Sequence, residues 1–374
     1  MFKHIARILL GLTFVFSGFV KGIDPWGSAY KFTDYFTAFH MPWLTNMAFA
    51  LGILLAAAEF AMGTALIFNF FLRITSWFTL AFMVFFTALT FVLALTNPVT
   101  DCGCFGDALV ITNWQTFYKN IVLLALALYV FVQRKNFKPK DGPILSIGLT
   151  VMTIVFYFYL VVYSYNHLPI IDFSPYKVGV NIPEAMKVPE GAPKAIYQNN
   201  LIYKNIKTGE EKKFTEANYP WKDTLNWKFV KMGEQKLIQK GYTPPIHDFR
   251  IETADGEDIK DFFLYEEVYT FIAIAPNLQK ADLEGMKKIA ELAKAAKRKG
   301  YKFIGLTASS PDTFDAFKAE TGVEFDFFNT DEITLKTIVR SNPGLIGLKK
   351  GTIMNKYHFN TIPKPEELVD QIER

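Results

Sequence analysis

Asp101-Cys102-Gly103-Cys104-Phe105-Gly106-Asp107 is the stretch from which the rest of this chain can be read. It holds both cysteines of a 374-residue sequence, one glycine apart, with an apolar run of membrane length on either side. A glycine between two thiols lets the backbone turn tightly enough for the sulfurs to meet. As a staple such a bridge is weak: closing a loop of about three residues is worth ~1.6 kcal/mol, against ~3 for about fifteen. A short, strained ring also makes an easily reduced bond. Three readings are open: a dithiol/disulfide pair that exchanges, an inert disulfide or two idle thiols, and a two-thiolate site for a soft ion such as Cu(I). Asp101 and Asp107 flank the pair, and their negative charge disfavours thiolate, which weighs against an attacking nucleophile.

Outward from this loop the hydrophobic residues, 51% of the chain, are unevenly spread. Five runs lie near the roughly twenty residues a helix needs to cross hydrocarbon: Ile5 to Lys21, Met47 to Phe68, Leu72 to Thr96, Trp114 to Val132, and Leu145 to Tyr165. The first starts with Lys3 and Arg7 and lacks a small-residue cleavage site, so it reads as a retained anchor. Basic residues in short loops set orientation. Lys3, Arg7, Arg73 and the group Arg134, Lys135, Lys138 and Lys140 all place the N-terminus inside. The cysteine loop and everything after Tyr165 then lie on the outer, oxidising face. Between the first two spans, residues 22–46 are rich in aromatics, among them Trp26, Tyr30, Tyr35, Phe36, Phe39 and Trp43, which predicts an interfacial helix over the bundle or an aromatic belt.

One carboxylate stands midway along the second span. Glu59 costs about 2.5–3.5 kcal/mol at such a depth, so it must face the bundle and find a partner, for which Lys21 is the candidate. It is either a proton or substrate site or a polar clamp between helices. The net charge of +4, with no basic stripe interleaved with aromatics, excludes nucleic acid as a partner. Two cysteines so close together give no disulfide framework and no four-ligand zinc pattern. His40 and His167 read as solvated side chains near the outer surface.

After Tyr165 the chain is charged and soluble. Residues 167–245 read as a Pro-containing linker and a small β-rich subdomain. From Ile246 strands alternate with helices: a hairpin at Asp248–Asp258 with an Asp-Gly turn, strands at Val268–Ala275, Phe303–Thr307 and Glu324–Phe328, helices after Ala281, Thr313 and Asp331, a closing hairpin around Lys349-Lys350-Gly351, and a last helix after Pro365. That alternation predicts a mixed sheet with helices on both faces.

Two resemblances follow. Residues 1–135 resemble the DoxX and methylamine-utilisation MauE group of bacterial membrane proteins, through Phe16-Ser-Gly-Phe-Val-Lys-Gly-Ile-Asp-Pro25, Glu59, and most specifically Cys102-Gly-Cys-Phe-Gly106. The resemblance implies an all-α four-helix core, to which residues 136–166 add a fifth span, and a role near thiol redox or protein maturation. Residues 246–374 resemble α/β thioredoxin-like domains of the TlpA kind, through the hairpin before the first core strand and Asn342-Pro343-Gly344, whose proline is cis in that family and faces the active site. The departure is decisive. After Phe271-Ile-Ala-Ile-Ala275, where the family places its cysteines, this chain has Pro276-Asn-Leu-Gln-Lys280.

The expectation is therefore a multi-pass protein of a bacterial inner membrane, with a cytoplasmic N-terminus and a periplasmic C-terminal domain. Cys102 and Cys104 would exchange with a client or thiol-redox partner, which the cysteine-free domain binds. The competing readings are a non-enzymatic assembly protein that recruits a periplasmic partner, and a small-molecule or quinone-linked site around Glu59. No other cofactor is implied.

Overall fold

The computed structural model describes residues 1–99, 101–137, 142–239 and 241–367. Among these, five helices are long and apolar enough to cross a membrane. They are α1 (Phe2–Ile23), α3 (Ala48–Phe68), α4 (Leu72–Thr96), α5 (Asn113–Gln133) and α6 (Pro143–Asn166), with α2 (Pro25–Ala38) between the first two. Lys138 and Lys140 of the expected inner loop, and the last helix beyond residue 367, lie outside the described residues.

Small residues bring α1 and α3 together. A Cβ on Gly18 would sit 2.6 Å from the Phe60 nitrogen, and one on Gly63 would sit 2.5 Å from the Val15 nitrogen. In a membrane, where burial from water does not drive helices together, such backbone contact is what holds them. Leu10 and Phe14 of α1 then pack with Leu66, Met83, Leu123 and Ala127 in one core. Asn120 of α5 donates to the Thr90 hydroxyl of α4 at 3.1 Å, a polar link inside the bundle. Tyr157 and Val161 fix α6 against Ala56 and Phe60 of α3.

The two ends of the bundle differ. At one, the Lys3 ammonium donates to the Asn136 carbonyl at 2.8 Å, and Arg7 is buried against the Phe137 ring. At the other lie the cysteine loop, the whole of α2 and the start of the extramembrane segment. Asp24 caps α2 by accepting from the Gly27 nitrogen at 2.9 Å, with Pro25 at the first helical position.

Residues 181–247 form a separate compact unit. A short helix, α7 (Ile182–Ala185), precedes two small antiparallel sheets. One pairs β1 (Ile196–Gln198) with β5 (Lys236–Gln239), and the other orders β3 (Glu211–Thr215), β2 (Asn200–Asn205) and β4 (Trp227–Met232).

The remaining chain, from Asp248, packs in the same unit as the bundle. After α8 (Lys260–Leu264) come β6 (Thr270–Ile274), α9 (Leu283–Arg298), β7 (Lys302–Thr307), α10 (Phe314–Thr321), β8 (Phe327–Asn329), α11 (Glu332–Ile338), β9 (Gly344–Lys349) and β10 (Thr352–His358). The sheet runs β10-β9-β6-β7-β8, with β6, β7 and β8 parallel and β9 and β10 antiparallel to their neighbours. Every residue of β6 is buried, as a central strand covered on both faces requires. Ala273 packs under Met286, Ile289 and Ala290 of α9, while Ile272 and Ile274 point to the opposite face. Asn342–Pro343 is cis. This is a thioredoxin-like fold.

The expected Asp248–Asp258 hairpin is only partly formed. The turn exists, with Gly256 at φ +82 and its nitrogen bonded to the Thr253 carbonyl, but Glu252 makes one bridge to Asp258 and a second to Asn329 at the end of β8. The segment is shared between its own turn and the sheet edge, and Phe249 and Ile251 are fully buried along it.

Candidate functional site

The close approach of α1 and α3 sets the polar centre of the bundle. The Lys21 ammonium reaches Glu59 at 2.7 and 2.9 Å, both side chains being about nine-tenths buried. Ser17, one turn before Lys21, accepts from that ammonium at 2.9 Å. Its hydroxyl lies 2.9 Å from Glu59 Oε2 and 2.7 Å from the Cys104 carbonyl oxygen. A hydroxyl has one proton, so it donates to one of these acceptors at a time. The mid-span carboxylate and the cysteine loop, far apart in sequence, are thus one hydroxyl apart.

Cys102 and Cys104 are bonded to each other, with Cα atoms 5.4 Å apart. Gly103 makes this closure, at φ +60, a backbone state that favours glycine. Asp101 is spent on the turn: Oδ1 accepts from the Gly103 nitrogen at 2.9 Å and Oδ2 pairs with Lys31 of α2 at 2.8 Å. Its charge is therefore offset, which weakens the objection to a thiolate here. Tyr35 of α2 donates to the Cys102 carbonyl at 2.8 Å, and burial raises its phenol so that it remains a donor. The helix α2 roofs the loop.

The two sulfurs differ. Cys102 is 8% exposed, whereas Cys104 is half-buried. The Cys104 backbone nitrogen donates to Cys102 Sγ at 3.2 Å, and the Thr116 hydroxyl of α5 lies 3.3 Å from the same sulfur. Donors at a sulfur stabilise its thiolate. Cys102 is thus the better placed of the two to leave, and Cys104 is the more exposed residue.

Beneath the loop is a cavity of about 1280 Å³, bordered by both cysteines, Ser17, Lys21, Glu59 and Lys119, with apolar walls from α2, α3 and α4.

The thioredoxin-like domain meets this loop through the residues just before its cis proline. Arg340, 8% exposed, bridges Asp24 at 3.1 Å and Asp107 at 2.8 Å. Burial opposes its charge, but Asp24 and Asp107 more than reverse this, and the guanidinium holds its proton more tightly than an ordinary arginine. Asp107 is thus an anchor rather than a neighbour of the sulfurs. The segment that stands where thioredoxins carry their thiols abuts the cis proline, as Asn342 Nδ2 donates to the Asn277 carbonyl at 2.8 Å. No cysteine lies in that domain.

The comparisons agree with this division. Residues 1–133 match the family model of the methylamine utilisation protein MauE. They form a MauE-like membrane domain. Residues 197–240, in the small β unit, match a domain of unknown function, DUF8463. The chain is similar to Protein TlpB of Flavobacterium psychrophilum, 28% identical over 167 residues, which cover 42% of this chain. The match spans less than half, 44%, of that relative's length. A solution structure from Bacteroides thetaiotaomicron, proposed to be a protein disulfide isomerase, overlaps 34% of this chain and 84% of its own at 17% identity with a TM-score of 0.27. That overlap adds nothing to the fold read from the strand order.

Of the residues singled out in the sequence, Cys102, Cys104, Glu59 and Lys21 meet where the loop reaches the polar centre of the bundle, while Asp101, Asp107 and the corner before Pro343 hold the loop from outside. Ser17, Lys31, Tyr35, Thr116, Lys119 and Arg340 carry no sequence signal as site residues. Only Ser17 lies inside a motif already noted, Phe16 to Pro25.

Proposed function

We propose that the chain exchanges thiols for disulfides at the membrane surface, with Cys102–Cys104 as the exchanging bond and the thioredoxin-like domain as a thiol-free docking body. The loop faces the periplasm of a bacterial inner membrane in this reading, where oxidised cysteines persist. A client thiolate attacks Cys104 Sγ and forms a mixed disulfide. The S–S bond breaks toward Cys102, whose thiolate the Cys104 nitrogen stabilises, joined by Thr116 once its hydroxyl turns from the Thr112 carbonyl, and a second client thiol then releases the pair as a dithiol. The observation that carries this is the asymmetry of the two sulfurs. Arg340 holds the loop beside the proline corner, the face with which thioredoxin-like domains receive partners.

Offered the client in its disulfide form, Cys102→Ser keeps the more exposed cysteine, whose thiolate attacks the client S–S bond and expels one client thiolate; with no Cys102 to close the pair, the mixed disulfide should accumulate and be released by reductant. Cys104→Ser leaves only the buried sulfur and should trap much less. Equal trapping by both, or none by either, defeats the assignment. Normal function of the double serine variant would favour the assembly reading instead.

A further inference from the structure

Exchange with a client leaves the pair as a dithiol, and the cavity under the loop indicates what restores it. At about 1280 Å³ it exceeds the ~300–1,000 Å³ of common small-ligand sites. Its walls are apolar, from Phe32 and Phe36 of α2, Leu55 and Met62 of α3, and Phe82 and Leu89 of α4. Its charged groups are gathered at one end, beside the disulfide. Lys21 and Glu59 pair there, and Lys31 pairs with Asp101. Lys119 of α5 is left over. Its ammonium stands 4.2 Å from the centre of the Phe105 ring, and among the described residues no carboxylate or carbonyl is bonded to it. The polar end thus carries one positive charge more than its carboxylates balance, facing a long apolar space.

We propose that this cavity takes the head of a lipid-soluble quinone, with the apolar tail along α3 and α4, and that the quinone oxidises the Cys102/Cys104 dithiol. The proposal rests on the reading of the pair as an exchanging one. Two S–H bonds break and one S–S bond forms; the two electrons pass to the quinone and two protons end on its oxygens, giving the quinol. Lys119 supplies the donor and the charge that favour negative charge on the near oxygen, as fixed donors do wherever charge develops in a dry site. Ser17, whose hydroxyl reaches either the Cys104 carbonyl or Glu59, and Glu59 beyond it lie on the path by which the thiol protons move. An acyl chain would fill the walls and leave Lys119 without a role. A quinone uses both ends.

The test uses the full chain in phosphatidylcholine nanodiscs, with its cysteines reduced and the reductant removed under nitrogen. Decylubiquinone should then be reduced, one quinol per cysteine pair, with the disulfide re-formed as read by alkylation and mass. Lys119→Met should slow this by about tenfold or more, and by more than it slows oxidation by a water-soluble oxidant. Phe82→Trp, which fills the wall, should raise the quinone concentration needed. A dithiol that stays reduced overturns the proposal, as do unchanged rates in both variants. Trapping of a client by Cys102→Ser without quinone reduction overturns this inference alone. Quinone reduction without any trapped client leaves it standing and removes the client reading.

Discussion

Glu59 and Lys21 show what a single residue has to satisfy inside an apolar bundle. Each would be prohibitive alone and each is tolerated because the other stands 2.7 Å away, with Ser17 between them and the loop. Removing one partner of such a buried pair strands the other, at a cost of about 3–5 kcal/mol. Glu59→Gln should therefore lower the denaturation midpoint of the detergent-solubilised protein. The double variant Glu59→Leu, Lys21→Met should recover much of that loss but none of the exchange activity; recovery of both would reduce the pair to a clamp. His358 offers a second test at this scale. It is 2% exposed, its Nδ1 accepts from the Asn360 nitrogen, and burial, helped by His167, brings its pKa down to about 4. Between pH 6.5 and 4 the unfolded chain binds a proton that the folded chain refuses. Stability should therefore fall as pH drops through that window, by ~3 kcal/mol at most. His358→Gln should flatten the pH dependence of the thermal midpoint there, and an unchanged slope would refute the assignment.

Among the elements, α1 and α3 position everything else. Their contact through Gly18 and Gly63 determines whether Lys21 reaches Glu59 at all. Gly18→Val would place its side chain against the Phe60 nitrogen and Ala56 carbonyl, and backbone cannot yield as a side-chain tip can. We expect a loss of at least the ~1–3 kcal/mol typical of overpacking, seen as reduced accumulation and a lower midpoint. Gly148→Val on α6, which meets nothing within 4 Å, is the control and should be silent. Helices of this kind are legible in a sequence because a twenty-residue apolar run has one fate in a membrane, and β6 to β10 are legible because buried strands sit between helix signals. The Asp248–Asp258 segment was less so: an Asp-Gly turn announces a hairpin, but the edge of β8 competes for the same backbone groups.

For the whole molecule, Arg340 is the clamp between the thioredoxin-like domain and the membrane loop. Its fork spans two carboxylates, Asp24 and Asp107, which a lysine's point charge cannot do. Arg340→Lys should keep the fold yet loosen the loop. In reduced protein Cys104 should then be alkylated faster than in the parent, and Arg340→Ala faster still. Alkylation at the parental rate in both variants would mean the domain does not cover the loop.

The sequence alone determined the five spans, the strand–helix alternation and the identity of the two sulfurs, because each rests on a local pattern: apolar length, strand–helix period, a Cys-Gly-Cys spacing; the thioredoxin-like fold and the cis Pro343 were what the resemblance implied. Only the tertiary structure decided that Glu59 and the disulfide belong to one site. That depends on two glycines letting α1 and α3 touch, on a loop folding back so that the Cys104 carbonyl meets Ser17, and on an arginine 233 positions after Asp107 reaching it. Contacts between residues so distant leave no periodicity in the chain to read. The difference between Cys102 and Cys104 has the same origin: two identical side chains are told apart by what packs around them.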